Sequence, residues 1–180
     1  MSRTRLISPD DAPRLAELAV VNRDFLAPWD PVRGEDYYTV DGQASVVRDA
    51  LAQHAQGSGL PHVILDETGE VVGRINLTGI VRGPFQSGNL GYWVSESANG
   101  RGLASAAVRE IVRIAFGELG LHRIQAGTLV HNERSMRVLE HAGFVRFGLA
   151  PEYLKIAGRW QDHVLFQLIN HGDGSAPRLD

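Results

Sequence analysis

The chain contains no cysteine, which excludes disulfide bridges, thiolate metal sites and a cysteine nucleophile. It has no excess of positive charge either. Against 21 Asp and Glu stand 18 Lys and Arg, a formal net charge of −3, so the basic face that nucleic acid requires is not expected. No run of 18 apolar residues occurs, and no membrane-spanning helix is expected. The opening stretch MSRTRLISPDD turns polar within a few residues and lacks the apolar core of a signal peptide. The expected location is the cytoplasm, and the sequon Asn76-Leu77-Thr78 is read as coincidental. His54, His62, His131, His141 and His171 show no i,i+4 metal pairing with a nearby acid, so no metal site is expected. A Gly-Lys-Ser/Thr triplet is also missing, which removes a Walker phosphate loop.

What is present is an ordinary globular composition, 43% hydrophobic and 22% charged over 180 residues. One domain over residues 1–170 is expected, with a flexible tail over 171–180 (HGDGSAPRLD). A short strand is expected at Arg3 to Ile7. Ser8-Pro9-Asp10-Asp11 then has the form of a helix start, with a serine cap, a first-turn proline and acids. That helix is expected to run to about Arg23, with a second over Gln43 to Gln56 and an aromatic loop, Phe25 to Pro31, between them. Pro61 to Asp66 and Val71 to Val81 read as a hairpin around Glu67-Thr68-Gly69-Glu70. Asn89 to Ser95 alternates, placing Leu90, Tyr92 and Val94 on one face. Leu103 to Leu119 is the clearest amphipathic helix, its polar stripe formed by Ser105, Arg109, Glu110, Arg113 and Glu118. A strand over Arg123 to Val130 and a helix over Glu133 to Ala142 follow. Asn132 stands as cap before that helix, and Gly143 as its left-handed terminator after it. Val145 to Ile156 and Gln161 to Ile169 form a final hairpin through Ala157-Gly158. This order favours an α+β fold over a doubly wound sheet.

The most informative segment joins Tyr92-Trp93-Val94-Ser95 to Gly100-Arg101-Gly102-Leu103-Ala104-Ser105. A strand ends, a glycine turn follows and a strong helix begins, so unpaired amide N–H groups gather at a positive helix end. That suits a pyrophosphate. Glycine lets phosphate oxygens reach the amides where a Cβ would block them; a plain tight turn is the other reading. A dinucleotide fingerprint fails, because the run ends in Ser105 and the acid at about the required distance of 20 residues, Glu118, ends a helix rather than a strand.

With Leu119-Gly120-Leu121-His122-Arg123-Ile124, Asn132-Glu133-Arg134-Ser135 and Gly143-Phe144 added, the sequence resembles the GCN5-related N-acetyltransferase (GNAT) superfamily, in its RimJ/RimL-like ribosomal-protein branch. The resemblance extends from Leu26-Ala27-Pro28-Trp29-Asp30-Pro31 to Gly158-Arg159-Trp160-Gln161-Asp162-His163. It implies a central, mostly antiparallel sheet splayed between two adjacent strands, with helices on both faces, and acetyl-CoA as cosubstrate with no metal. The family's pyrophosphate signature falls on Asn99, Gly100, Arg101, Gly102, Leu103 and Ala104, with Asn99 departing from the usual Gln or Arg, and the backbone from Gly100 to Ser105 would cradle the phosphates. By the same resemblance Trp93 and Val94 would pair through their backbones with the pantetheine arm, and Asn132 would bond the cosubstrate near the gap. The Val94 N–H would polarise the thioester carbonyl.

Many relatives place a tyrosine general acid seven residues after the asparagine; here that position is Leu139. Ser135 is the substitute implied, its hydroxyl stabilising the departing thiolate. A core serine bonded one turn back is the alternative. Glu152 and His163 are the candidate bases, while the Asp162-His163 pair could instead fix the hairpin or the sheet edge. Phe25, Trp29 and Trp160 are candidate substrate contacts, or packing. The acceptor implied is a primary amine, first the N-terminal α-amine of a protein or peptide. A small amine such as an antibiotic or metabolite is the alternative, and a noncatalytic acyl-CoA sensor a third reading. The resemblance also allows a homodimer, through the sheet edge at the C-terminal hairpin.

Overall fold

A computed structural model of the protein describes residues 2–172. The tail expected over 171–180 therefore lies outside the described residues except for its first two. Seven strands form one sheet: β1 (Thr4–Leu6), β2 (Leu60–Leu65), β3 (Val71–Val81), β4 (Ser87–Val94), β5 (Arg123–Leu129), β6 (Val145–Ile156) and β7 (Arg159–Ile169), in the order β1-β2-β3-β4-β5-β7-β6. Every neighbouring pair is antiparallel except β4 and β5. The helices are α1 (Ala12–Val21), α2 (Arg23–Leu26), α3 (Val40–Ala55), α4 (Leu103–Gly117) and α5 (Glu133–His141). Among the described residues no helix is long and apolar enough to cross a membrane.

Local chemistry explains most of these elements. Ser8 and Asp11 form a reciprocal capping box around a 3₁₀ turn at Pro9–Asp11, from which α1 continues. Thr39 caps α3 through the Gly42 amide, so that helix starts earlier than the polar Gln43 suggests. Asp66 closes the β2–β3 hairpin by accepting from the Thr68 and Glu70 amides at 2.9 and 3.1 Å. Gly143 takes φ +89° after α5, and the Phe144 amide returns to the Leu139 carbonyl, the expected left-handed stop.

One face of the sheet packs on α4 and α5 through a core that includes Ile75, Leu77, Leu90, Val108, Ile111, Leu139 and Phe166. The other packs on α1 and α3 through Leu15, Leu18, Val47, Val63 and Val71. Helices thus cover both faces, as expected. Phe25 and Leu26, expected to open the aromatic loop, instead complete the helical turn Arg23–Leu26. A 3₁₀ turn at Glu35–Tyr38 is a second addition to the expected elements.

Candidate active site

β4 and β5 run parallel but pair only at Ser87↔Arg123, Gly88↔Ile124 and Asn89↔Gln125. Past Asn89 they diverge, and β4 keeps only its β3 neighbour. Which β4 residues face the gap follows from strand phase. The Ser95 amide donates to the Val72 carbonyl at 2.8 Å, and a Cβ added at Gly73 would lie 2.2 Å from the Trp93 carbonyl oxygen. Trp93 and Ser95 therefore turn their main-chain groups towards β3. Because successive residues alternate, Tyr92 and Val94 present theirs to the gap. This corrects the expectation that Trp93 pairs there through its backbone; what it offers is its half-buried side chain, packed on the α1–α3 face.

Just beyond Val94 the chain makes the glycine turn. Gly100 and Gly102 have φ +77° and +73°, and a Cβ on either would meet nothing within 4 Å. Backbone conformation and open space, rather than packing, call for glycine at both positions. The amides of residues 100–105 find no hydrogen-bond partner among the described residues, so they form a row of donors at the α4 N-terminus. This arrangement fits a diphosphate. Leu103 points its side chain into the core, 3% exposed, and can contribute only its amide. Ala104 and Ser105 are half-buried and Asn99 is exposed. Arg101 is engaged by Glu67 from the β2–β3 turn and must exchange that partner to reach an anion. The turn is anchored from below by buried Asn22, whose Oδ1 accepts from Ser95 Oγ at 3.1 Å and from the Glu96 amide at 2.8 Å.

Two hollows flank the gap and share Leu26, Trp29, Tyr92, Trp93, Asn132 and Ser135 as walls. One, of about 400 Å³, adds Phe25, Val94, Asn99, Ala104 and the α5 arginines Arg134 and Arg137. The other, of about 320 Å³, passes to the α1–α3 side and adds Asp30, Arg33, Tyr37, Arg74, Asn76 and His163. Above them the Trp29 and His131 rings stand 5.4 Å apart.

Asn132 Oδ1 caps α5 by accepting from the Ser135 amide at 3.1 Å, leaving its NH2 for the cleft. The Ser135 hydroxyl is 2.9 Å from that of Tyr92. Burial pushes the Tyr92 phenol up to about 12, against the opposing pull of Ser135. His163 is buried, and its Nδ1 lies 2.9 Å from the Gln161 carbonyl oxygen. A carbonyl only accepts, so Nδ1 carries the proton and Nε2 of the neutral ring keeps its lone pair.

Two expected residues are not brought to the cleft. Glu152 is exposed on a β6 bulge at φ +47°, its amide bonded to Asp162 Oδ1 at 2.9 Å. Asp162 thus fixes the hairpin, one of the two roles weighed for it. Trp160 is 61% exposed, opposite Lys155 near the hairpin tip, and lines neither hollow. Conversely Tyr92, Arg74 and Asn22 were not foreseen. The alternation that puts Tyr92 beside Leu90 and Val94 was the available signal for the first. Among the described residues no three His, Asp or Glu side chains gather as a metal site.

The family described as acetyltransferase (GNAT) domain matches residues 3–145. The [ribosomal protein uS5]-alanine N-acetyltransferase of Escherichia coli is 37% identical, over 91% of this chain and 85% of its own. The crystal structure of the ribosomal-protein-S5-alanine acetyltransferase of Vibrio fischeri superposes with a TM-score of 0.89 at 34% identity, covering 93% and 92% of the two chains. Mycobacterium smegmatis RimJ, solved in complex with CoA-disulfide, gives 0.88 at 32%, covering 92% and 80%. A splayed sheet, a glycine-cradled helix end and a family match across most of the chain lead to one conclusion: the protein belongs to the GNAT family and is an acetyl-CoA-dependent N-acetyltransferase.

Proposed function

We propose that the enzyme acetylates the N-terminal α-amine of a protein or peptide. The observation that carries this reading is the weak basicity of the acceptor-side hollow. The acid on its wall, Asp30, is held by Arg33 at 3.1 Å, and Glu152 stands outside. An α-amine with a reference pKa of about 7.7–8.0 is partly neutral already, whereas a lysine amine at about 10.4 needs roughly 3 units of help, about 4 kcal/mol. A site with a histidine and no free carboxylate suits the former. The uS5-alanine acetyltransferases of Escherichia coli and Vibrio fischeri, similar over most of their length, support the same acceptor class.

In this reading the amides of residues 100–105 hold the diphosphate of acetyl-CoA, with Asn99 and Arg101 beside them. The main-chain groups of Tyr92 and Val94 pair with the pantetheine arm, and the Asn132 NH2 bonds near it. When bound, the thioester supplies an activated acetyl group. The Val94 N–H polarises its carbonyl as the amine nitrogen attacks. The C–S bond breaks, and the Ser135 hydroxyl donates to the sulfur that takes up the charge. His163 Nε2 accepts the proton lost by the amine. Phe25 and Trp29 border the opening.

Thiol release from acetyl-CoA, measured against N-terminal peptides and simple amines, tests the reading. Peptides are expected to exceed simple amines in kcat/KM by roughly tenfold or more. A preference for simple amines would overturn the peptide assignment in favour of a small-molecule acceptor.

A further inference from the structure

Arg74 sits in the middle of β3, 7% exposed, on the wall of the acceptor-side hollow. It forms no ion pair among the described residues. Its Nε is buried without a hydrogen-bond partner, and so is the Oδ1 of Asn76, two residues along on the same face. A buried guanidinium left unpaired is costly, because its desolvation is not offset by a matching charge. Burial pulls its pKa below the ordinary value, opposed by Tyr37 and Asp30 and reinforced by Arg33. Those three groups all wall the acceptor-side hollow. Arg74 also borders a smaller hollow under α3, whose acid, Asp49, makes no ion pair with it among the described residues. An arginine stays protonated throughout the working range, so the acceptor side carries a fixed and unmatched positive charge.

We propose that Arg74 and Asn76 form a specificity subsite for an α-amino carbonyl unit, in which the guanidinium donates to the oxygen on the carbon beside the reacting amine. Asn76, whose carboxamide can offer its oxygen or its NH2, takes the next polar group along. This rests on the α-amine reading and deepens it. The shared chemistry belongs both to the first carbonyl of a peptide and to the carboxylate of a free amino acid. A lone cation at this place has two further effects. It repels an acceptor that carries a second ammonium group, and it favours the neutral form of the amine that must attack. Polyamine-like acceptors are thereby selected against.

The test compares L-alanine, L-alaninamide, isopropylamine and 1,4-diaminobutane as acceptors. Isopropylamine keeps the amine and methyl of alanine but replaces the carbonyl. Wild-type enzyme is expected to favour alaninamide over isopropylamine by about tenfold or more, as a charge-assisted hydrogen bond implies. In Arg74→Met that ratio is expected to collapse, mainly through KM, while the disadvantage of diaminobutane shrinks; Arg74→Lys retains part of both. Coenzyme A affinity by calorimetry verifies that each variant is folded. A preference for alanine over alaninamide assigns the subsite to a carboxylate, and the reverse to a peptide carbonyl. An alaninamide-to-isopropylamine ratio that is undiminished in folded Arg74→Met refutes the subsite and leaves the α-amine reading standing. Wild-type preference for isopropylamine or diaminobutane refutes both.

Discussion

The Tyr92 hydroxyl stands 2.9 Å from Ser135 Oγ and 3.2 Å from the Ser135 carbonyl oxygen, so strand β4 and helix α5 meet through a hydroxyl pair at the cleft. A phenol pushed up to about 12 by burial remains protonated in the working range. When it donates to Oγ, the serine proton is released to point at another acceptor.

Ser135 and Tyr92 are therefore expected to act as a unit. Ser135→Ala lowers kcat by about tenfold or more with little change in coenzyme A affinity, and Tyr92→Phe lowers it less. The double variant is no worse than Ser135→Ala, since groups acting through one another are non-additive. Steady-state kinetics with calorimetry decide this, and unchanged kcat in Ser135→Ala removes the serine from the mechanism.

Gly102→Glu is expected to abolish measurable coenzyme A binding, because a carboxylate then occupies the donor row meant for phosphate. Gly102→Ala imposes only the penalty of a left-handed backbone at φ +73°, about 1–2 kcal/mol of stability. Thermal melts separate the two effects. Normal coenzyme A binding by a folded Gly102→Glu protein would mean that the anion lies elsewhere.

Two strand glycines near the gap behave oppositely. A Cβ at Gly73 collides with the Trp93 carbonyl at 2.2 Å, whereas one at Gly91 meets nothing within 4 Å. Gly73→Ala is expected to lower stability by about 1–3 kcal/mol, the cost of overpacking. Gly91→Ala keeps its melting temperature but narrows the acceptor-side hollow that Gly91 lines, so its defect appears in KM.

His62, 8% exposed on β2 beside Thr4, is pulled down to about 4, chiefly by burial. A depressed folded pKa means that its contribution is complete above about 6.5 and is lost as pH falls towards 4. The loss approaches about 3 kcal/mol at the acid end, from 1.36 kcal/mol per unit. Melting temperatures at pH 7.5 and 4.5 are expected to differ more for wild type than for His62→Gln. Equal differences would place the acid sensitivity in other groups.

Elements specified by neighbouring residues were legible in the sequence. The Ser8 and Asn132 caps, the Gly143 stop and the glycine turn each depend on side chains within a few positions, so their chemistry is written locally. Features set by register were not. Whether Trp93 or Val94 faces the gap is a one-residue phase, decided by the Gly73↔Val94 pairing. Tyr92 meets Ser135 across a sequence separation of 43, and nothing near Arg74 announces that it lacks an acid partner. Glu152 was misplaced for the same reason: a bulge, stabilised by Asp162, turns it outward. The helical turn at Arg23–Leu26 has no side-chain cap of its own and follows from α1 above Asn22.

The parting of β4 from β5 leaves two hydrogen-bonding edges inside the sheet, not at its margin. Any extended chain offers such edges the same ladder that a pantetheine arm does. Ligand-free protein at high concentration is therefore expected to self-associate through these edges, and saturating coenzyme A to slow that association, which light scattering with and without the ligand measures.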